Sequence, residues 1–230
     1  MKTVADVIEL EKQGKIKNFD DWASFFNEGN RAGANVQDLL TELQEAKRVS
    51  GNLKDREVIN IGGDARAEVN ARGERQKTFD LKVENVQTGQ TTRNIEVKTL
   101  ENSVSDATDL REGIRHAIEK RIDATGGTVE ATIQIELARE SKKGKKTRVI
   151  DESGNYSDIE KDKEGIERSY NTGNLFQDIK DKIAEIEIKN VERRKDNPDV
   201  NLIDRVNLVR KDGSSSATYF KENGQWKLEM

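Results

Sequence analysis

Two runs of alternating apolar and polar residues, joined by a short glycine-containing turn, constrain the fold of this chain more than any other feature. The run KTFDLKVEN places Phe79, Leu81 and Val83 on one face, and the run QTTRNIEVKT places Ile95 and Val97 on one face. Alternation of this kind predicts β-strands with one buried face. The intervening QTGQ predicts that the two strands form a hairpin.

The register of this hairpin follows from its apolar faces. A two-residue loop, Thr88-Gly89, would place Leu81 opposite Glu96 and would mix apolar and charged side chains on one face. A three-residue loop that ends on Gly89, in the left-handed position of a bulged turn, instead pairs Leu81 with Ile95. Because a slip of one residue would move the whole apolar set to the wrong face, we predict the second register.

This register has a chemical consequence for the polar face of the hairpin. Asp80 then lies opposite Glu96 with the two Cβ atoms about 5 Å apart, and Lys98 follows two residues along the same face. Two facing carboxylates repel each other unless a cation lies between them, and Mg²⁺ favours sites with one or two carboxylates and several waters. We therefore expect Mg²⁺, or Mn²⁺, at Asp80 and Glu96. Lys98 would position a water molecule and stabilise charge that develops at phosphorus.

The segments around the hairpin predict an α+β chain. A helix over NVQDLLTELQEAKRVSG precedes it, with Val36, Leu39, Leu40 and Leu43 on one face, and REVINIGG and ARAEVNARG follow as short strand candidates. After the hairpin, SVSDATDLREGIRHAIEKRID has the clearest helical spacing in the chain, and TVEATIQIEL alternates as a strand. The predicted order is helix, two or three strands, helix, strand.

The FD of one strand, the IEVKT of the next and the helix and strand that follow resemble the PD-(D/E)xK nuclease superfamily over roughly residues 36–137. They also resemble the nuclease toxin domains at the C-terminal ends of proteins of bacterial contact-dependent inhibition and other polymorphic toxin systems. The resemblance implies a restriction-endonuclease-like core, α-β-β-β-α-β, in which a mixed sheet is flanked by helices. It also implies that Asp80, Glu96 and Lys98 are catalytic, with Asp80 and Glu96 as metal ligands.

Other acidic residues in this sequence could take the place of Asp80 as the first metal ligand. Phe79 stands where the proline that gives the superfamily its name would lie. Asp64 and Glu68, in GGDARAEV, compete with Asp80 as the acidic residue contributed by the strand. The assignment of the first metal ligand therefore stays open among these three carboxylates.

Further residues would complete a site that acts on nucleic acid. By the same resemblance, Glu42 on the preceding helix would match an extra acidic residue found in some members, and Arg111 or Arg115 would match a polar helix residue that approaches the scissile phosphate. A basic stretch after the last core strand is a candidate for contacts to the phosphate backbone. Its lysines are Lys142, Lys143, Lys145 and Lys146.

Composition limits what the rest of the chain can do. Hydrophobic residues make up 33% and charged residues 37% of the 230 residues, which predicts a compact core with polar segments. Cysteine is absent, which excludes disulfides, zinc sites built on thiolates and cysteine nucleophiles. No apolar run approaches the length of a transmembrane helix, and the amphipathic N-terminal segment is unlike a signal peptide, so we expect a soluble protein.

We expect three parts along the chain. They are an N-terminal helical segment over 1–35, the nuclease-like core over 36–150, and a polar linker with a C-terminal α+β extension over 151–230. Residues 139–174 are polar and weakly patterned, which predicts a long loop or partial disorder. NLFQDIKDKIAEIEI predicts a helix that changes into a strand, and turn signals near the C-terminal end separate three short strand candidates.

Two functions follow from this reading. The first is a metal-dependent nuclease that hydrolyses phosphodiester bonds in DNA or RNA, transfer RNA included. As a toxin domain it would be delivered from a larger secreted protein into the cytoplasm of a target cell, and a cognate immunity protein would be its partner. The alternative is a non-catalytic interaction module that uses a nuclease-like fold as a scaffold, which the acidic balance and the polar C-terminal third favour.

Overall fold

A computed structural model describes residues 2–20, 23, 36–61, 79–99, 117, 126–135, 139–143, 146–193, 203–210 and 215–230. The helices and strands of this part of the chain are α1 Lys2–Lys12, β1 Ile16–Lys17, α2 Val36–Ser50, β2 Glu57–Ile61, β3 Leu81–Asn85, β4 Thr91–Thr99, β5 Thr128–Ile135, β6 Arg139–Lys143, β7 Lys146–Ile150, β8 Asn155–Lys161, β9 Glu167–Asn174, α3 Leu175–Arg193, β10 Arg205–Arg210, β11 Ser215–Glu222 and β12 Gln225–Glu229.

The larger sheet has eight strands within the described residues, in the order β1-β2-β3-β4-β5-β10-β11-β12. Strands β1 and β2, β4 and β5, and β5 and β10 pair in parallel, and the other neighbours pair antiparallel. The three helices described flank this mixed sheet, which makes the chain α+β as predicted. None of these helices is long and apolar enough to cross a membrane.

Two hydrophobic clusters cover the two faces of the sheet. On one face, which we call the α2 face, α1 and α2 pack on β2, β3 and β4 through Val7, Leu43, Ala46, Val49, Ile59, Leu81 and Ile95. On the other, the α3 face, α3 packs on β5, β10 and β11 through Ile179, Ile183, Ile186, Ile133, Leu208 and Tyr219. The helix predicted after the hairpin lies outside the described residues except for Ala117, which is helical and buried on the α3 face.

The predicted register of the central hairpin is confirmed. Strands β3 and β4 pair Leu81 with Ile95, and both side chains are buried on the α2 face. The predicted loop is wrong, because Asn85 pairs with Gln90 through a 2.9 Å backbone hydrogen bond and leaves 86–89 as the loop. A bulge at Thr92 in β4 then restores the register that the apolar residues require.

The side chain of Asn85 explains why the loop is one residue longer than predicted. Its Oδ1 accepts hydrogen bonds from the amides of Gln87 and Thr88, at 2.9 and 3.2 Å. An Asn side chain that binds the backbone two residues ahead stabilises a local turn by itself. Gly89 has φ of 66°, so the prediction of a left-handed glycine at this position is confirmed.

The prediction that Phe79 shares a face with Leu81 and Val83 is wrong. Phe79 is buried in the cluster on the α3 face, whereas Leu81 and Val83 are buried on the α2 face. The regular strand begins only at Leu81, and Asp80 forms a bend. The regular alternation of side chains therefore begins at Leu81 and, contrary to the sequence pattern, does not include Phe79.

The long loop predicted over 139–174 is also wrong. Strands β6 to β9 form a four-stranded antiparallel sheet in sequence order. The β7–β8 and β8–β9 turns share the spacing D-x-x-G, in which the carboxylate of Asp151 or Asp162 accepts backbone amides and Gly154 or Gly165 takes a positive φ. Polar residues on both faces conceal the strands from a search for apolar alternation.

The segment from Leu175 onward is one continuous helix, so the predicted change into a strand is wrong. The three strand candidates at the C-terminal end form β10 to β12, as predicted. Strand β10 pairs in parallel with β5, from Arg205 opposite Glu130 to Arg210 opposite Ile135, so these strands continue the larger sheet.

Candidate functional site

Asp80 lies against the backbone of the E-x-K tripeptide. Its Oδ2 accepts a hydrogen bond from the amide of Val97 at 2.6 Å. Val97 is the residue between Glu96 and Lys98, so the carboxylate of Asp80 reaches the middle of the tripeptide across the hairpin. The bend at Asp80 allows this contact, because a side chain in a regular strand would stand perpendicular to the sheet.

Glu96 and Lys98 extend from the α3 face of the sheet. In the parallel pairing of β4 with β5, Glu96 lies beside Ala131 and Lys98 beside Ile133, and both of these neighbours belong to the cluster on that face. Glu96 is only 5% exposed, whereas Lys98 is partly exposed. Within the described residues, the ammonium of Lys98 makes no hydrogen bond or ion pair, so it is available to a bound ligand.

The donor set of Asp80 and Glu96 suits a hard divalent cation. Both side chains offer carboxylate oxygens, the ligands that Mg²⁺ and Mn²⁺ prefer. Among the described residues there is no cluster of three or more His, Cys, Asp or Glu side chains arranged to hold a metal, so these two carboxylates would need water or a substrate as further ligands.

Of the remaining acidic and arginine candidates, Glu42 alone lies within the described residues. Glu42 lies on α2, the helix that packs on the opposite face from Glu96 and Lys98. The other candidates of this group lie outside the described residues, and they are Asp64, Glu68, Arg111 and Arg115.

The basic stretch predicted to bind nucleic acid belongs to the β6–β7 hairpin. Lys142 and Lys143 end β6, Lys146 begins β7, and Lys143 pairs with Lys146 across the hairpin. Lys145 lies outside the described residues. The backbone therefore brings these lysines to one end of the smaller sheet.

A buried ion pair on the α2 face was not predicted from the sequence. Nε and Nη2 of Arg93 donate to Oε1 and Oε2 of Glu130 at 2.7 and 2.9 Å, a bidentate contact between neighbouring strands. Burial alone would raise the pKa of Glu130, but the hydrogen bonds and charge of Arg93, with smaller contributions from Arg205 and Asn207, hold this pKa below its ordinary value. Glu130 is therefore ionised although it is only 3% exposed.

A second arginine is held in the same way beside the first. Nε and Nη2 of Arg48 donate to the two oxygens of Glu45 at 2.7 and 2.5 Å. The hydroxyl of Thr132 in β5 donates to Glu45 at 2.7 Å and ties the helix to the sheet. Burial alone would lower the pKa of Arg48. The hydrogen bonds and charge of Glu45 outweigh this effect and raise the pKa above its ordinary value, so this guanidinium also stays charged.

These arginines line a groove between the end of α2 and strands β4, β5, β10 and β11, which we call the α2 groove. Its volume is about 590 Å³. Its basic residues are Arg48, Lys54, Arg93, Arg205 and Lys221. Its acidic residues are Glu57, Glu130 and Asp204. Phe220 forms part of one wall.

The sequence contained a signal for this polar layer. In β5, Glu130, Thr132 and Gln134 alternate with the apolar residues, and all three are buried. Alternation in a strand ordinarily indicates one wet face, but a central strand with parallel neighbours on both sides is covered on both faces. The parallel pairing of β5 with β4 and β10 would have been needed to find it.

A scan against protein-family models, a search of curated proteins and a search of solved structures each found no match.

Proposed function

We propose that the chain is a metal-dependent nuclease whose reacting centre is formed by Asp80, Glu96 and Lys98. The observation that carries the proposal is the hydrogen bond from the amide of Val97 to Asp80. It brings an acidic side chain from one strand to the tripeptide that holds the second carboxylate and the lysine. Chance alternation of charges on a wet sheet face would not be expected to produce that contact.

The proposed roles follow from burial and charge. Asp80 and Glu96 would hold Mg²⁺ through their carboxylate oxygens, and a cation bound at Glu96, which is only 5% exposed, would be largely shielded from water. When bound, Mg²⁺ supplies Lewis-acid polarisation of a phosphoryl oxygen. The ammonium of Lys98 would orient the attacking water and stabilise the negative charge that develops on the phosphate.

The order of the elements supports a restriction-endonuclease-like core as part of this proposal. Helix α2 precedes three strands, of which β2 pairs antiparallel with β3 and β3 pairs antiparallel with β4. Strand β5 then pairs in parallel with β4. A parallel connection requires a crossover, and helical Ala117 lies within it, buried on the α3 face. The described part of this order, α-β-β-β followed by helical Ala117 and β5, supports the α-β-β-β-α-β core as a proposal.

The test is cleavage of plasmid DNA and total RNA by the purified chain, with Mg²⁺ or with chelator. We expect chelator-sensitive cleavage of at least one substrate, and we expect Lys98→Ala to reduce the rate by about a hundredfold or more. Lys82→Ala is the matched control, because Lys82 is a partly exposed lysine on the neighbouring strand of the same hairpin.

Two results would contradict the proposal. Cleavage by Lys98→Ala at the rate of Lys82→Ala would remove Lys98 from the mechanism. No cleavage of either substrate, together with no thermal shift on addition of Mg²⁺, would favour the non-catalytic interaction module instead.

A further inference from the structure

The α2 groove lies away from the proposed reacting centre. Arg93 in the groove and Lys98 are both in β4, five residues apart, which corresponds to about 17 Å along the strand. The side chain of Arg93 contacts Glu130 on the α2 face, whereas Lys98 extends from the α3 face. Any function of the groove is therefore separate from the metal ligands proposed above.

The two arginines at the base of the groove are fixed in position before any ligand binds. Each uses Nε and Nη2 for its bidentate carboxylate, which leaves Nη1 outside that contact, and about a fifth of each side-chain surface is exposed, 21% for Arg48 and 23% for Arg93. The charge of Arg48 opposes the protonated form of Arg93, but Glu130 and Glu45 raise the pKa of Arg93 overall and keep its guanidinium charged. Two fixed guanidinium groups that repel each other form a favourable site for a shared anion.

The acidic residues of the groove are occupied by contacts within the protein. Glu130 is bound by Arg93, Glu57 accepts the hydroxyl of Thr92 at 2.9 Å, and Asp204 accepts the amide of Val129 at 2.7 Å. Among these three contacts only the one at Glu130 comes from a cation, and the neutral donors fix the carboxylates of Glu57 and Asp204 in position. Three of the five basic residues are paired with carboxylates, Arg48 with Glu45, Arg93 with Glu130 and Lys221 with Glu187, so within the described residues Lys54 and Arg205 are the cations left to attract an anion.

The rim of the groove carries two cations that can reach a ligand. Lys54 and Arg205 are exposed, and within the described residues neither side chain makes a hydrogen bond or an ion pair. Phe220 is partly exposed on the wall beside them, and the exposed amide of Asn52 lies at the same groove. A volume of about 590 Å³ falls within the range of about 300–1,000 Å³ that is typical of small-molecule sites.

We propose that the α2 groove binds a nucleotide unit, with its phosphate on Arg48, Arg93 and the rim cations and its base against the ring of Phe220. Guanidinium groups match phosphate oxygens bidentately. An aromatic ring in a basic groove provides a face on which any base stacks. The unit is either a free nucleoside phosphate or one nucleotide of a nucleic-acid strand, because both present the same phosphate and base.

The test is isothermal titration calorimetry on the full chain with AMP, adenosine, inorganic phosphate and a ten-nucleotide oligo-deoxyadenylate. The Lys98→Ala background is used throughout, so that the oligonucleotide is not cleaved. We expect AMP to bind more tightly than either adenosine or phosphate, because only AMP satisfies both parts of the groove. If the oligonucleotide binds more tightly than AMP, the natural ligand of the groove is a nucleic-acid strand. If it binds equally or more weakly, the ligand is a free nucleotide.

Paired variants distinguish AMP binding in the α2 groove from nonspecific attraction of AMP to positive charge. Lys54→Ala with Arg205→Ala should weaken AMP binding about tenfold or more, because two phosphate contacts are lost and the bound guanidinium groups are untouched. Lys163→Ala with Lys180→Ala removes the same charge from residues that do not line the groove and should leave the affinity unchanged. Phe220→Leu should weaken AMP and leave phosphate binding unchanged.

Three results would overturn the proposal. The first is equal AMP affinity in the rim variant and its charge control. The second is adenosine binding as tightly as AMP, and the third is competition by poly-glutamate as effective as competition by the oligonucleotide, which would indicate an acidic protein partner. Because binding is measured without turnover in Lys98→Ala, groove-dependent binding would leave this proposal standing even if the unmutated chain cleaves neither DNA nor RNA and the nuclease proposal fails.

Discussion

Replacing Arg93 by methionine tests whether the ion pair beneath the α2 groove is as strongly coupled as its geometry indicates. The substitution keeps the length and apolar stem of the side chain but leaves the carboxylate of Glu130, whose side chain is 4% exposed, without its main partner. Removing one member of a buried pair costs about 3–5 kcal/mol, because the remaining charge stays desolvated.

The structure places the expected loss at the lower end of that range. Glu130 would keep hydrogen bonds from the hydroxyl of Thr128 at 3.3 Å and the amide of Asn207 at 3.4 Å, and Arg93 itself is 23% exposed. We therefore expect Arg93→Met to lower the free energy of unfolding by about 3 kcal/mol. With a urea slope of about 3 kcal/mol/M, the unfolding midpoint should fall by about 1 M.

The assay is urea unfolding followed by circular dichroism, with a second substitution and a surface control. Adding Glu130→Gln to Arg93→Met removes the stranded charge and should recover most of the loss, which a double-mutant cycle measures as coupling. Arg168→Met breaks an exposed pair with Asp162 and should cost less than about 1 kcal/mol. A loss in Arg93→Met no larger than in Arg168→Met, or no recovery in the double variant, would refute the reasoning.

Two further predictions concern pH and backbone geometry. Because Arg93 holds the pKa of Glu130 below its unfolded value, the pair stabilises the wild type above that unfolded pKa and loses its effect as pH falls through the folded pKa. In Arg93→Met the folded pKa of Glu130 rises instead, so the deficit in urea midpoint should shrink between pH 7 and pH 5; a constant deficit would contradict this. Gly127→Ala should lower the free energy of unfolding by more than about 2 kcal/mol, because φ is 77° and the added Cβ would lie 2.7 Å from the backbone carbon of Thr92. Gly165→Ala has a similar φ of 79° in open space and should cost only about 1 kcal/mol in the same assay; equal losses would show that the close approach to Thr92 is unimportant.

The hairpin register could be predicted from the sequence because two apolar faces had to match. Leu81 opposite Ile95 is the only pairing that buries both strands on one side, and the structure adopts it. The loop could not be predicted in the same way. The hydrogen bonds from the side chain of Asn85 to its own loop compete with the shorter turn, and a bulge at Thr92 absorbs the difference.

The smaller sheet and α3 show where local patterns mislead. Strands β8 and β9 expose polar side chains on both faces, so apolar alternation is absent, and the D-x-x-G turns at Asp151 and Asp162 were the available signal. In α3 the run IAEIEI alternates like a strand. Ile179, Ile183 and Ile186 are nevertheless buried together at helical spacing, so tertiary packing decides the conformation.

The proposed site was predictable in part. The sequence indicated that Asp80 lies close to Glu96, and the structure places its carboxylate on the amide of Val97, in the same tripeptide. The roles of Asp80, Glu96 and Lys98 stay a prediction. The polar layer around Glu130 was missed because its burial depends on two parallel neighbours that lie far apart in the sequence.

The most direct test of the proposed nuclease is the cleavage rate of Asp80→Asn compared with the wild type, measured together with the melting temperature of each. Asparagine keeps an oxygen that can accept the amide of Val97 but removes the negative charge. The account predicts an unchanged melting temperature, within about 2 °C, and a rate lower by about a hundredfold or more. Wild-type cleavage by this variant would show that Asp80 only caps the strand, and would contradict its assignment as a metal ligand.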